Sequence, residues 1–221
     1  MEKKFHGNFT QQDGLPEIAI ERATRVLRSG RLHRYNLGKD EIGEVGSLEL
    51  EFAKFINVKY CLAVASGGYT LSTALRALGV GHGDNVLTNA FTLAPVPGAI
   101  ASVGAKPIFV GVTENLVIDL DDLEVKSQNA KVLMLSHMRG HICDMDRLLS
   151  ICASNNIQLI EDCAHTMGAK WKDRWSGTDG VIGCYSTQTY KHINSGEGGL
   201  LVTNNPDIMA KATMLSGSYM L

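Results

Sequence analysis

Short apolar runs alternate with amphipathic stretches along this chain, and this alternation limits its possible folds more than any other feature. The apolar runs have the length and composition of buried strands, at residues 61–65, 86–87, 107–110, 131–135, 158–160, 181–185 and 199–202. Helical spacing of apolar residues predicts helices at residues 16–29, 45–56, 70–78, 93–103, 145–154 and 206–215. Strands that alternate with helices need crossover connections. We therefore predict an α/β fold, a three-layer sandwich with a mainly parallel central sheet.

Length and charge narrow the class of protein further. A chain of 221 residues suits one large domain. We place an N-terminal arm and helix in residues 1–30 and a single large domain in residues 31–221. Lys and Arg total 21 against 23 Asp and Glu, so the basic excess that nucleic acids or anionic membranes attract is missing. We expect no nucleic-acid partner and no membrane partner.

Two further features bear on cellular location. The five cysteines are an odd number without framework spacing, and the first residues do not resemble a secretion signal. We therefore expect reduced thiols in a cytoplasmic protein. Residues 85–105 carry no charge and are long enough to span a bilayer. Their asparagines, threonines and prolines favour a buried strand, a turn and a helix instead.

Ligands of parallel sheets bind where the strands end, and two polar segments follow predicted strands directly. The segment Ser66-Gly67-Gly68-Tyr69 begins a helix, whose first N–H groups and dipole favour a phosphate, although a tight turn explains it equally well. Asp162 follows the strand at residues 158–160 and suits a cationic ring nitrogen, a metal or a cap of the next turn. His165 fits either a turn or a hydrogen bond to a ligand.

Lys191 lies in a loop between the last two predicted strands, and Ser186 ends the first of these strands. A lysine enclosed by such a loop can have a lowered pKa and form a Schiff base with a carbonyl group. Composition alone fits an ordinary loop lysine as well. Signals for a metal are weak, because no C-x-x-C pair is present and Met138 stands where the pair His137 and His141 would need Glu. We expect no metal.

Together these segments resemble the DegT/DnrJ/EryC1/StrS family of pyridoxal-phosphate-dependent aminotransferases, which act mostly on nucleotide-linked keto sugars. The likeness runs from about residue 30 to residue 205 in the order and spacing of the family. It rests on Ser66-Gly67 and on residues 74–79, 83–84, 90–92, 104–107, 161–165, 185–186, 191 and 196–199. The resemblance implies a fold-type-I large domain that binds pyridoxal phosphate over residues 31–221, without the family's small C-terminal domain.

The resemblance also implies roles for single residues. Lys191 matches the catalytic lysine that binds the cofactor as a Schiff base and shuttles a proton, and Asp162 matches the carboxylate that keeps the pyridine nitrogen protonated. His165 matches a position near the phenolic oxygen where the family often has Gln. The remaining cofactor contacts implied are ring stacking by Phe91 and a phosphate cradle of Ser186 with the backbone of Gly67, Gly68 and Tyr69.

This chain departs from the family pattern in three respects. Gly68 stands where members commonly have Thr, which removes a hydroxyl donor, and Gly111 replaces a frequent Asp. The chain is also much shorter than family members. We expect either a fragment or a reduced relative, which folds but turns over poorly by itself.

The resemblance implies transamination of a keto sugar, with an amino acid such as glutamate as donor and a homodimer as the working assembly. The alternative is a catalytically weak or inactive relative that only binds pyridoxal phosphate or acts as an interaction module. A sugar dehydratase of the same fold is disfavoured, because such enzymes typically have His where Lys191 stands. The identity of the sugar stays open.

Overall fold

The computed structural model describes residues 14–35 and 37–217, so residues 1–13 of the predicted N-terminal arm and helix (residues 1–30) lie outside the described part. The helices are α1 (Glu17–Ser29), α2 (Glu44–Ile56), α3 (Gly67–Ala77), α4 (Pro95–Ser102), α5 (Leu120–Lys126), α6 (Met145–Asn155) and α7 (Pro206–Leu215), with 3-10 turns at Ser127–Asn129 and Met138–Gly140. The strands are β1 (Tyr60–Val64), β2 (Asn85–Asn89), β3 (Lys106–Val110), β4 (Val132–Ser136), β5 (Gln158–Asp162), β6 (Lys170–Trp171), β7 (Arg174–Trp175), β8 (Ile182–Ser186) and β9 (Gly199–Thr203).

A seven-stranded sheet in the order β1-β9-β8-β5-β4-β2-β3 forms the centre of the fold. Strands β3, β2, β4, β5 and β8 pair in parallel, whereas β9 runs antiparallel to both β8 and β1. Since β9 is the one reversed strand of this sheet, the prediction of a mainly parallel sheet is confirmed. The register pairs Ser136 with Asp162 and Asp162 with Cys184, which aligns the carboxyl ends of β4, β5 and β8.

Apolar side chains cover both faces of the sheet, which confirms the three-layer sandwich. On one face, Leu75 and Ile100 from α3 and α4 pack with Ile160 and Leu201. On the other, Leu123 and Leu148 from α5 and α6 pack against sheet residues such as Leu133. The alternation of side chains along a strand explains the division, because consecutive residues point to opposite faces.

Three elements differ from the sequence-based expectation. Helix α5 was not predicted, since its seven residues are too short and too acidic to show a helical apolar stripe. The hairpin of β6 and β7 has two residues in each strand, too few for an alternating pattern. The reversed direction of β9 was not predicted either, because an apolar run does not encode which way its strand runs.

The uncharged segment at residues 85–105 forms strand β2, a turn and helix α4, as predicted. Pro95 lies at the start of α4, where its missing N–H breaks no helical bond. Within the described residues, no helix combines the length and the apolar character that crossing a bilayer requires.

The chain separates into a first unit that ends at His33 and a second unit that begins at Arg34. In the first unit, α1 ends at Gly30, whose left-handed backbone (φ 68°) caps the helix. None of the α1 residues is buried. The second unit contains the sheet and all the candidate site residues.

The central position of Leu133 makes it a test of the sheet core. Leu133 lies on β4 with none of its surface exposed, so we expect Leu133→Ala to leave a cavity and lower the free energy of unfolding by about 3 kcal/mol. Urea unfolding followed by circular dichroism measures this. Val125→Ala is the control, because Val125 is 77% exposed and its truncation should change the value by less than about 0.5 kcal/mol. Equal losses in the two variants would contradict this assignment of the core.

Candidate active site

A cavity of about 390 Å³ opens where β5 and β8 end. Six of the eight residues that the sequence singled out for cofactor binding line it: Gly67, Gly68, Asp162, His165, Ser186 and Lys191. They come from the start of α3, the ends of two adjacent strands, and two loops. The sheet thus gathers in one place residues that are far apart in the sequence.

One wall of the cavity is the first turn of α3 packed against the end of β8. The Ser66 hydroxyl caps this helix by accepting from the Tyr69 N–H at 3.1 Å. A Cβ atom on Gly67 would lie 2.7 Å from the Cβ of Ser186, so only glycine permits this approach. The first N–H groups of a helix lack intrahelical acceptors, and here they lie beside the Ser186 hydroxyl. This arrangement suits an anion such as a phosphate.

Asp162 ends strand β5 and supplies a carboxylate to the cavity. Its Oδ2 accepts from the Ser136 hydroxyl at 3.0 Å, and its Oδ1 accepts from the Ala164 N–H at 3.2 Å. Ser136 is itself held by Asn89, which bonds both its N–H and its carbonyl oxygen. Asp162 therefore has a fixed orientation, and its capping of Ala164 is compatible with a role toward a ligand.

Glu161, the neighbour of Asp162, faces the other way and is buried. Its carboxylate accepts from His137 Nε2 at 3.0 Å and from the N–H groups of Gly177, Asp179 and Gly180. Burial alone would raise the pKa of Glu161, but these donors outweigh burial and hold the pKa below the ordinary 4.5. Glu161 thus stays ionised inside the protein and ties two loops to β5.

His137, Glu161 and Cys163 are a group of three potential metal ligands among the described residues, with ligand atoms within 4.8 Å of one another. The hydrogen bonds just described already use both oxygens of Glu161. Burial raises the pKa of the Cys163 thiol well above its ordinary range, which disfavours the thiolate that metals bind. We interpret the group as a structural cluster, and the absence of a metal stays a prediction.

Lys191 belongs to the loop between β8 and β9. Its Nζ lies 2.8 Å from His165 Nε2, and His165 Nδ1 accepts from the Arg139 N–H at 3.2 Å. Burial is the main cause that lowers the pKa of Lys191; Asp162 opposes this shift and Arg139 adds to it. The pKa of His165 is lowered too, first by burial and then by Lys191. The loop thus presents an amine of reduced basicity to the cavity.

Two predicted site residues are not among those lining the cavity. The Tyr69 N–H donates to Ser66, and the Tyr69 hydroxyl donates to the carbonyl of Leu215 in α7. Phe91 is half-buried, and its carbonyl oxygen accepts from Asn89. Their proposed contacts to a cofactor remain predictions.

Sequence reasoning also missed several residues that line the cavity, among them Met138, Gln188 and Glu197. Gln188 and Glu197 lie on either side of Lys191 in the same loop, so their position next to the lysine was the available signal. Met138 comes from the turn after β4. Only the parallel pairing of β4 with β5 brings that turn to the cavity.

The model of the DegT/DnrJ/EryC1/StrS aminotransferase family matches residues 16–219 of this sequence. The chain belongs to this family. It is 40% identical over 167 residues to the putative L-glutamine:3-amino-2,3-dideoxy-scyllo-inosose aminotransferase of Micromonospora echinospora. The matched region covers 75% of this chain and 40% of that relative. It is 36% identical over 175 residues to the GDP-perosamine synthase of Escherichia coli O157:H7, covering 78% of this chain and 48% of the relative.

Solved structures of aminotransferases superpose on most of the chain. The aminotransferase from Psychrobacter cryohalolentis matches with a TM-score of 0.84 and 30% identity, covering 93% of this chain and 51% of that one. The PLP-form of the putative sugar aminotransferase Spr1654 from Streptococcus pneumoniae matches with a TM-score of 0.84 and 26% identity, covering 96% and 58%. The chain therefore spans about half the length of the relatives that it matches.

The buried charge of Glu161 predicts a loss of stability when it is removed. Glu161→Gln leaves the three backbone donors and His137 without a carboxylate, so we expect the free energy of unfolding at pH 7 to fall by about 3–5 kcal/mol. Folding lowers the pKa of Glu161, so its contribution is present above pH 4.5 and is lost as the pH falls through the lowered value. Urea unfolding at pH 7 and at successively lower pH measures both effects.

Glu114→Gln is the matched control, because Glu114 is exposed and its neutralisation should change the free energy of unfolding by less than about 0.5 kcal/mol. The difference between Glu161→Gln and the native chain should shrink in acid. A difference that stayed constant with pH would contradict an ionised Glu161.

Proposed function

We propose that this chain is the cofactor-binding part of a pyridoxal-phosphate-dependent aminotransferase that transfers an amino group to the carbonyl of a sugar. The observation that carries the proposal is the convergence of Lys191, Asp162 and Ser186 with the first turn of α3 on one cavity. Each of these groups has a counterpart in the chemistry of that cofactor. Membership of the family supports the same assignment.

The residues present fit pyridoxal phosphate. A phosphate would be held by the Ser186 hydroxyl and the N–H groups of Gly67 and Gly68, in the cradle that a Cβ on Gly67 would fill. When bound, the cofactor supplies an aldehyde that a lysine amine can bind covalently and a ring that accepts electrons. A Cβ on Gly68 would have no neighbouring atom closer than 4.0 Å, so the missing Thr side chain leaves open space.

Asp162 and Lys191 then have separate tasks with respect to protons. Asp162 holds a proton on the ring nitrogen, because an ionised carboxylate stabilises a cationic partner. Lys191 would bind the cofactor through Nζ and would afterwards move a proton between the amino-bearing carbon of the substrate and the carbonyl carbon of the cofactor, as general base and acid. A lowered pKa suits both tasks, since a neutral amine is both a nucleophile and a base.

The proposed acceptor is a keto sugar, linked to a nucleotide, and the proposed donor is an amino acid such as glutamate. Relatives named as GDP-perosamine synthases from Escherichia coli O157:H7 and Vibrio cholerae support the acceptor class. The relative from Micromonospora echinospora, named for a cyclitol substrate and L-glutamine, marks the main alternative pair. We propose a homodimer as the working assembly.

The attachment site tests the proposal directly. Mixing the protein with pyridoxal phosphate should give a yellow absorbance that borohydride abolishes, and peptide mapping should find the pyridoxyl group on Lys191. Lys191→Ala should lose this labelling, while Lys172→Ala, which alters an exposed ion pair with Asp146, should keep it. A label on Lys170 or Lys172 in the native chain would contradict the proposal.

The role of Asp162 predicts a specific loss. Asp162→Asn should lower the rate at which L-glutamate converts the bound cofactor to its amino form by orders of magnitude, because a neutral amide does not keep the ring nitrogen protonated. Stopped-flow absorbance measures the rate. The unfolding midpoint should change little, since the Asn carbonyl oxygen still accepts from Ala164. A near-native rate would show that Asp162 only caps the turn.

A further inference from the structure

The hydrogen bonds around His165 determine where its proton resides. Nδ1 lies 3.2 Å from the backbone nitrogen of Arg139, with the N–H directed at it. A backbone N–H only donates, so Nδ1 accepts and carries no proton. A neutral imidazole then has its proton on Nε2. Rotating the ring by 180° would replace both nitrogen contacts by carbon contacts, so the two contacts together support this orientation.

Lys191 lies next to the protonated nitrogen of His165. Its Nζ is 2.8 Å from His165 Nε2, which has just been assigned a proton. One nitrogen of this pair donates and the other accepts, so an Nε2–H requires a lone pair on Nζ. An ammonium group has three donors and no acceptor. The geometry is therefore consistent only with a neutral Lys191 amine.

The backbone of Arg139 is shaped to make this contact. Arg139 has φ 58° and ψ 19°, in the left-handed region that a non-glycine residue enters only at a cost. Its turn is anchored through His137, because His137 Nε2 bonds Glu161 and the His137 N–H donates to the carbonyl of Asp162 at 3.1 Å. The strained turn thus places one N–H at His165 and is anchored to β5.

The charged groups near the pair come from several elements. Asp162 at the end of β5 raises the pKa of both His165 and Lys191, while Arg139 from the turn after β4 lowers both. His192, in the loop that contains Lys191, lowers the pKa of His165. Glu197 of the same loop lines the cavity. For both groups burial is the largest cause, and it favours the neutral forms. The surroundings therefore agree with the proton positions that the hydrogen bonds require.

We propose that His165 is a positioning residue which the Arg139 N–H locks as the Nε2-protonated tautomer, so that it donates to Lys191 and keeps this lysine a neutral amine. The proposal deepens the proposed function and rests on it in one respect, that Lys191 is the lysine to which the cofactor binds. A neutral amine attacks an aldehyde without first losing a proton. His165 thereby prepares Lys191 before any cofactor arrives.

The lock depends on pH in a defined direction. Below the lowered pKa of His165 the ring gains a proton on Nδ1, which then faces the Arg139 N–H donor to donor. The hydrogen bond breaks, and the ring no longer has a fixed tautomer. A glutamine at position 165 would not titrate. Its amide oxygen accepts from Arg139 and its amide nitrogen donates to Lys191, so it should replace the neutral imidazole.

Nitrogen NMR of the cofactor-free chain, labelled with ¹⁵N-histidine at neutral pH, tests the tautomer. We expect a pyridine-like signal for Nδ1 of His165 and a pyrrole-like signal for Nε2, assigned by their absence in His165→Gln. Arg139→Gly should keep this pattern, because glycine retains the N–H and accepts the left-handed backbone. A proton on Nδ1, or an imidazolium at neutral pH, would overturn the proposal.

Trace acetylation followed by peptide mapping tests the lysine, since only a neutral amine reacts. The midpoint of the pH dependence of Lys191 acetylation should lie below 10.5 in the native chain, and it should be the same in His165→Gln. His165→Leu should slow the labelling of Lys191 about fivefold at pH 8, through loss of one hydrogen bond to the neutral form, with exposed Lys172 as internal standard. Labelling of Lys191 at the native rate in His165→Leu would overturn the proposal.

These measurements are independent of the proposed function. Borohydride labelling at Lys191 together with an Nδ1 proton on His165 would refute the lock alone. The expected tautomer together with a cofactor attached elsewhere would refute the cofactor assignment alone. Should His165→Leu fail to fold, the spectra of the native chain and of His165→Gln decide the question.

Discussion

The ionised carboxylate of Glu161 is the interaction on which the geometry of the site depends. A buried charge is stable only when donors surround it, and Glu161 accepts from His137, Gly177, Asp179 and Gly180. Those donors belong to the turn after β4 and the loop before β8. One side chain therefore fixes both loops relative to β5, and the next residue along β5 is Asp162. The position of the cavity carboxylate follows from the charge buried behind it.

The two adjacent acidic residues of β5 have different surroundings: Glu161 bonds two loops, and Asp162 lines the cavity. Because side chains alternate along β5, Glu161 and Asp162 cannot face the same environment. Glu161 is 1% exposed and fully bonded to the protein, while Asp162 lines the cavity. Asp162 is oriented from a second direction as well, through Ser136 and Asn89 at the ends of β4 and β2. Successive parallel strands thus support one another at the same edge of the sheet.

The sequence predicted most of the strands and the residues that end them, because buried parallel strands are short apolar runs and polar residues follow them directly. The pattern contains no information on strand direction, so the reversal of β9 came only from the structure. It also contains none on loop conformation. Arg139 enters the site through its backbone N–H in a left-handed turn, a contact that the identity of the side chain does not signal. The two-residue strands of the β6–β7 hairpin were too short to leave a pattern.

The protonation state of Lys191 also decides what Asp162 can do. Asp162 is the group that favours a charge on Lys191, so an ammonium at Nζ would compete with a ring nitrogen for the same carboxylate. If Lys191 is neutral and hydrogen-bonded to a neutral His165, as we propose, that competition is removed and Asp162 is available for the proposed cationic ring. In this view the tautomer of His165 serves two residues together. It leaves the lone pair of Lys191 available, and in the proposed function it leaves the negative charge of Asp162 for the ring nitrogen of the cofactor.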